Sequence, residues 1–261
     1  MATVFQGRDS FQGMGGAVQV HWWTTTGNNI SIASVVNRNV QGQNQGNTVS
    51  AWPASIRTAV NSAFFPLNAS NNSLANAFAI NNGRIVLESH PDGLDGSTNW
   101  EDHPGGLSMD FMMDPVNRSG NLVVFGNSGT FPITNASNGR SFNMADIQWG
   151  IGGMSLEMAN TAFNNSGTFN SQFRYRNTGG GNTGARANRV AIGYLGGSVA
   201  QTNYIVAIFE NCFVFDVRSW LQSRGVSTFG LLLDGGGSAQ ARQNASTIVS
   251  STRRIPVVLS M

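Results

Sequence analysis

The segment "FDVRSWLQSRGVSTFGLLLDGGGS", Phe215–Ser238, decides the fold. Asp216 stands where a helix N-cap is expected. Val217, Trp220 and Leu221 fall at i, i+3 and i+4 and make one apolar stripe. Arg224 lies near the negative C-terminal end, and Gly225 suits a left-handed exit. The spacing therefore predicts a helix over 216–224. Phe229–Leu233 follows at once and reads as a buried internal strand. A helix that returns directly into a strand, among many β segments, predicts an α+β chain.

Working outward, strand signals recur in both directions. "RVAIGYLG" and "NYIVAIFE" read as an antiparallel pair just upstream. "IQWGIGGMSLEM" reads as a strand broken by glycines. "LSMDFMMD", "NLVVFG" and "TFPIT" are three short strand candidates. "NAFAINNGRIVLES" reads as a hairpin, with Asn82-Gly83 supplying a type I′ turn. "AVQVHWWTTT" and "NISIASVV" are strands by alternation and β-branching. "NRNVQGQNQGNTVS" and "NTGGGNTGARAN" read as loops. In "AWPASIRTAVNSAFF", Pro53 is placed to begin a helical turn that gives way to a strand. Residues 1–16 are rich in Gly and Gln and are expected to be a flexible arm. Residues 17–261 show no linker and no strict repeat. The expected architecture is one α+β domain on a mixed, mostly antiparallel sheet, with few helices and long Gly/Asn-rich loops.

Composition narrows the function. Hydrophobic residues are 40% of the 261, enough for a sizeable core. Charged residues are only 11%, against about a quarter in ordinary soluble domains. Every basic residue is arginine, and the arginines are scattered, with Arg253-Arg254 the one adjacent pair. A nucleic-acid footprint is normally a clustered patch or stripe, so no nucleic-acid partner is expected. Cys212 is the single cysteine, which excludes an intrachain disulfide, and its apolar neighbours make it a small core residue. No apolar run reaches the length of a membrane span, and no signal peptide is visible. This composition leaves an extracellular or virion-associated setting open.

Asp234 and the three glycines after it are the first candidate for chemistry. A strand end is rigid, so a carboxylate there is well placed for acid, base or nucleophilic work. The following N–H groups form an anion-binding nest, or else a tight turn in which Asp234 accepts local backbone bonds. Residue types alone leave both open.

Chain order adds a further pointer. Asn61-Ser62-Ala63-Phe64-Phe65, Arg189-Val190-Ala191-Ile192-Gly193, Glu210-Asn211-Cys212, Leu233 through Ser238, and Arg254-Ile255-Pro256 occur in sequence. This set resembles the phosphodiester glycosidase family over about residues 55–261. Two departures stand out: Ser62-Ala63 replaces paired glycines, and Glu210-Asn211-Cys212 replaces Asp-Gly-Arg. The resemblance implies hydrolysis of a sugar-1-phosphodiester at the glycosidic C–O bond, with phosphate leaving. It implies Asp234 as the reacting carboxylate, with Glu210 as a second acid. Arg189 is implied as phosphate clamp and Gly235, Gly236, Gly237 and Ser238 as the N–H cradle. Asn61 is implied to hold a sugar hydroxyl and Phe64 or Phe65 to form an apolar wall. Read from the residues alone, Arg189 is equally a strand residue with an acidic neighbour, Asn61 a turn former, and one of Phe64 and Phe65 a core residue.

The acidic stretch with Glu88, His90, Asp92, Asp95, Glu101, Asp102 and His103 fits no metal-ligand spacing and is expected to be a solvated loop. No metal and no cofactor are expected. His21 reads as a strand residue beside aromatics. The expected partner is a sugar-phosphodiester or glycan; oligomeric state is not legible. A second reading is a non-catalytic glycan-binding or virion-surface structural module on the same fold, encouraged by low charge and Asn/Gly/Ser-rich loops.

Overall fold

The computed structural model describes residues 4–35, 37–38, 44–62, 79–82, 84–85, 122–126, 129–133, 147–152, 154–172, 185–196 and 203–261. Phe64, Phe65, the acidic stretch 88–103, the strand candidate at 107–114 and the loop at 177–184 lie outside these residues. Every strand pairing among the described residues is antiparallel.

The main sheet has six strands. Their order is β1 (Val4–Gly13), β2 (Gly16–Thr26), β14 (Asn203–Cys212), β13 (Ala187–Gly196), β15 (Gly230–Leu233) and β12 (Met154–Ser155). The second sheet runs β17 (Ser246–Val249), β16 (Ala241–Gln243), β6 (Ala59–Asn61), β18 (Val257–Ser260) and β3 (Ser31–Ser34). The third runs β10 (Gly129–Ile133), β9 (Leu122–Gly126), β11 (Ile147–Gly152), β7 (Ala79–Asn81) and β8 (Arg84–Ile85). A two-strand ribbon, β4 (Asn37–Arg38) with β5 (Asn44–Gln45), interrupts the stretch expected to be a long loop. The expected α+β, mostly antiparallel class is what the chain adopts.

The main sheet is buried on both faces, which is why β14 reads as an unbroken apolar run. Successive side chains alternate across a strand. Tyr204, Val206 and Ile208 join Trp23, Ile192, Leu231 and Leu233 in a core shared with Ile32, Val60, Leu259, Trp149 and Ile151 of the other sheets. Ile205, Ala207 and Phe209 face the opposite way, under helices α1 (Ser166–Gln172) and α2 (Val214–Ser223). Helix α2 contributes Val214, Val217, Trp220 and Leu221 to that layer.

Several local expectations need adjustment. Helix α2 begins two residues before Asp216, with Phe213 as N-cap. Asp216 closes the helix start from inside the first turn. Its carboxylate accepts the Phe213 N–H at 2.9 Å and the Met14 N–H at 2.8 Å. That second bond ties the tip of the β1–β2 hairpin to the helix. Residues 4–13 are therefore not a loose arm but a strand in register with β2. Gly225 does take the left-handed exit, with φ of +92°. Asn82 turns the β7–β8 hairpin with φ of +47°. The helical turn near Pro53 lies before it, over Val49–Ala51.

Two arginines act as interior struts. Arg218 of α2 is fully buried. It donates to seven oxygens: the carbonyls of Leu156, Glu157, Met158, Asn160 and Phe163, and the side chains of Asn164 and Gln222. Arg242 of β16 similarly holds the carbonyls of Val49, Trp52, Pro53 and Ile56. Both fasten irregular segments whose carbonyls would otherwise be buried without donors. The guanidinium fork, with its five fixed N–H groups, suits this task better than an ammonium.

Candidate functional site

Asp234 ends β15 where four segments meet. Its N–H donates to the Ser62 carbonyl at 3.0 Å, just beyond β6. Its own carbonyl accepts from Asn61 Nδ2 at 2.7 Å. Arg189, near the start of β13, lies alongside, because Val190 pairs with Leu233. Arg253, from the segment leading into β18, lies over the glycine turn, close to where a Cβ on Gly237 would stand.

Each glycine of the turn has its own reason. A Cβ on Gly235 would stand 2.7 Å from the Asn188 carbonyl oxygen, so only glycine lets the turn pass β13. Gly236 has φ of +58°, the left-handed region that other residues resist. A Cβ on Gly237 would stand 3.2 Å from Cζ of Arg253, so its absence seats the guanidinium on the turn. The Asp234 carboxylate accepts the Gly235 N–H at 2.9 Å, and the Ser238 N–H closes back onto the Gly235 carbonyl at 3.0 Å. Two of the four expected cradle donors, Gly235 and Ser238, are thus engaged within the turn itself.

Asp234 is half-buried as a residue, and protein packs densely around its carboxyl. Burial pushes its pKa up to about 6. The Ser238 hydroxyl, the charge of Arg253, the Gly235 N–H and the charge of Arg189 oppose that rise, in decreasing order. Asp234 is consequently mostly ionised at neutral pH but titrates within reach of it.

Two buried amides hold this arrangement. Asn61 is 1% exposed; its Oδ1 accepts the Gln240 N–H at 2.9 Å while its Nδ2 fixes Asp234. Gln240 is fully buried, and its Nε2 donates to the Arg253 carbonyl at 2.8 Å. One amide therefore sets the backbone of the acid, the other the backbone of the arginine.

The residues singled out in the sequence divide into three groups. Asp234, Gly235, Gly236, Gly237, Ser238, Asn61 and Arg189 come together. Arg189 is 2% exposed and donates to the Ala185 carbonyl at 3.0 Å, so its side chain is closed off from solvent. Glu210 is turned away: its carboxylate meets His21 Nε2 of β2 at 3.1 Å, on the side of β14 opposite β13 and β15. It is two strand spacings from β15, about 10 Å. A carboxylate pairing of Glu210 with Asp234 is not what these strands provide. Phe65 lies outside the described residues. Sequence reasoning missed Arg253 and Gln240. The adjacent Arg253-Arg254 pair was the available signal for the first, but Arg254, which matched the family pattern, is exposed while Arg253 enters the site. Nothing in "SAQARQN" marks Gln240.

Among the described residues no helix is long and apolar enough to cross a membrane. No family model matches the chain, and no curated protein does. Solved structures do. A putative exported protein from Burkholderia pseudomallei aligns at TM-score 0.49 and 12% identity, covering 94% of this chain and 74% of that one. A hypothetical protein from Synechocystis aligns at 0.48 and 15%, covering 99% and 61%. The catalytic domain of zebrafish N-acetylglucosamine-1-phosphodiester alpha-N-acetylglucosaminidase, auto-inhibited by its pro-peptide, aligns at TM-score 0.62 and 15% identity, covering 100% of this chain and 82% of that one. The chain thus shares a distant fold relationship with a phosphodiester glycosidase domain.

Proposed function

We propose that this protein hydrolyses a sugar-1-phosphodiester at the glycosidic C1–O bond. The observation that carries this reading is the Asp234 carboxyl at a strand end, beside a glycine turn on which the half-buried Arg253 is seated. The fold shared with the zebrafish enzyme's catalytic domain supports it. In the reaction, the C1–O bond breaks and its electron pair stays on the phosphate oxygen. That leaving group is a weak base, so cationic stabilisation does most of what protonation does for ordinary glycosides. Arg253, half-buried and above the turn, is the group to receive the phosphate, a role the sequence reading gave to Arg189. Arg189, buried on the neighbouring strand β13, instead adds positive charge near Asp234. The carboxylate of Asp234 either attacks C1 or takes a proton from the water that does. Asn61 positions Asp234 through its backbone rather than touching sugar. Phe65 remains the proposed apolar wall.

Turnover in ¹⁸O-labelled water tests the reaction. A sugar-1-phosphodiester should yield free sugar labelled at C1 and unlabelled phosphomonoester. Label in the phosphate would mean P–O cleavage and a different enzyme class. Glycan binding without turnover would assign the site to the non-catalytic reading.

A further inference from the structure

The two amides behind the acid and the arginine are bonded to each other, and Gln240 is the joint. It is fully buried, between the turn Gly236–Ser238 and β16. Its backbone makes two hydrogen bonds with Asn61. Its N–H donates to Asn61 Oδ1 at 2.9 Å, and its carbonyl accepts the Asn61 N–H at 3.0 Å. Its side chain serves two other segments. Oε1 accepts the Val49 N–H at 2.7 Å, and Nε2 donates to the Arg253 carbonyl at 2.8 Å. A backbone N–H only donates and a carbonyl only accepts, so one orientation of the amide answers both. The segment that carries Arg253 is also held two residues further on. Asn47 and Ile255 exchange both backbone hydrogen bonds, at 2.9 and 3.0 Å. Gly46 permits this approach, since a Cβ there would stand 2.5 Å from the Ile255 carbonyl oxygen. Residues 46–49 thus hold the chain at Ile255 directly and at Arg253 through the Gln240 side chain.

We propose that Gln240 is a positioning residue for the hydrolysis: its side chain sets where Arg253 stands, and its backbone, through Asn61, supports Asp234. The division follows from the atoms used. Replacing the side chain removes the Val49 and Arg253 contacts. Both Asn61 contacts use the main chain of Gln240 and survive the replacement. Asn61 Nδ2 then still donates to the Asp234 carbonyl. Arg253 has no such second anchor at its carbonyl among the described residues. Its guanidinium reaches the turn with Nη1 3.2 Å from Ser238 Oγ, so a shift of its backbone carries the guanidinium off that contact. A misplacement of about 1 Å in a positioning contact costs on the order of 100-fold in rate. This role rests on the hydrolase reading, in which Arg253 receives the phosphate.

A double-mutant cycle on the intact chain tests it, with turnover of a sugar-1-phosphodiester as readout. Gln240→Met keeps the length and bulk of the side chain and removes both hydrogen bonds. It should lower kcat/KM by about 10- to 100-fold. In an Arg253→Gln background the same change should cost less than about 2-fold, because the group it positions is gone. A variant that merely loosened the fold would lose the same factor in both backgrounds. Should Gln240→Met fail to fold, Gln240→Asn runs the same cycle, being one methylene too short to span both contacts. Equal losses in the two backgrounds, or a Gln240 variant with unchanged kcat/KM, would overturn the proposal. A wild type with no turnover on the phosphodiester sinks the hydrolase reading and this role with it. An active wild type whose two substitutions combine additively sinks this role alone.

Discussion

Arg218 and Arg253 are the same residue put to opposite uses. Arg218 is sealed in the interior with seven oxygens around its guanidinium. Arg253 is half-buried and, among the described residues, its guanidinium has one acceptor, Ser238. Saturation marks a strut, because every donor is already answered and no ligand has anything to gain there. An arginine fixed by its backbone and with few acceptors among the described residues keeps donors that an anion could use, as the proposed function requires. A chain without a single lysine places its guanidinium groups at both kinds of position, so counting arginines says little and counting their acceptors says much.

The contrast is broken most severely at the strut. Arg218→Met should lower unfolding free energy by about 3–5 kcal/mol, the cost of emptying a buried hydrogen-bonded charge site, or leave no soluble folded protein. Thermal melts and circular dichroism read this directly. A melt within a degree or two of wild type would mean that solvent reaches those carbonyls and that the cage is not a strut.

At the acid, Asp234→Asn should cut turnover by about two orders of magnitude or more, the scale of losing a principal electrostatic or acid–base group. Its stability effect has a definite sign with pH. Burial raises the folded pKa to about 6, above the unfolded value. The folded state therefore binds the proton more tightly, and this carboxyl's contribution falls as pH rises through about 6. Asn carries no such penalty. The variant should melt above wild type at pH 7.5, and the gap should close by pH 4. A variant that melts well below wild type at both pH values would make Asp234 a turn anchor.

The glycines sharpen the distinction between backbone and side-chain neighbours. Gly235→Ala presses on the Asn188 carbonyl oxygen, which cannot yield without moving β13, and should destabilise by about 1–3 kcal/mol. Gly237→Ala meets only the end of Arg253, which can lift away. It should leave the melt nearly unchanged while weakening anion binding. Similar melts for the two variants would show that the turn is not pressed against β13.

The smallest stability effect belongs to Arg253→Gln. With its backbone still held by Gln240, the melt should shift by no more than about 0.5 kcal/mol, as for a surface substitution. Turnover on a sugar-phosphodiester, by contrast, should fall strongly. A stability loss comparable to that of Arg218→Met would place Arg253 among the struts.

Part of this molecule was legible from sequence because it is local. The helix stripe of Val217, Trp220 and Leu221, the Gly225 exit, the Asn82-Gly83 hairpin and the β13–β14 pair depend on neighbours a few residues away or on alternation within one strand. So does Asp234 at a strand end before three glycines. The boundary at Asp216 failed for a physical reason: a carboxylate can close a helix start from the first turn as well as from the cap.

What the sequence determined by itself was therefore the element types, the α+β class and the position of one carboxylate beside a glycine turn. Tertiary structure decided the rest, because it rests on partners far apart in the chain. Gln- and Gly-rich residues 4–13 become a strand only because β2 offers a paired edge and Asp216 and Arg186 hold the hairpin tip. Glu210 is drawn to His21 by the β2–β14 register. Arg253 rather than Arg254 enters the site because Gln240 fixes that residue's carbonyl, and a buried amide leaves no local pattern by which to find it.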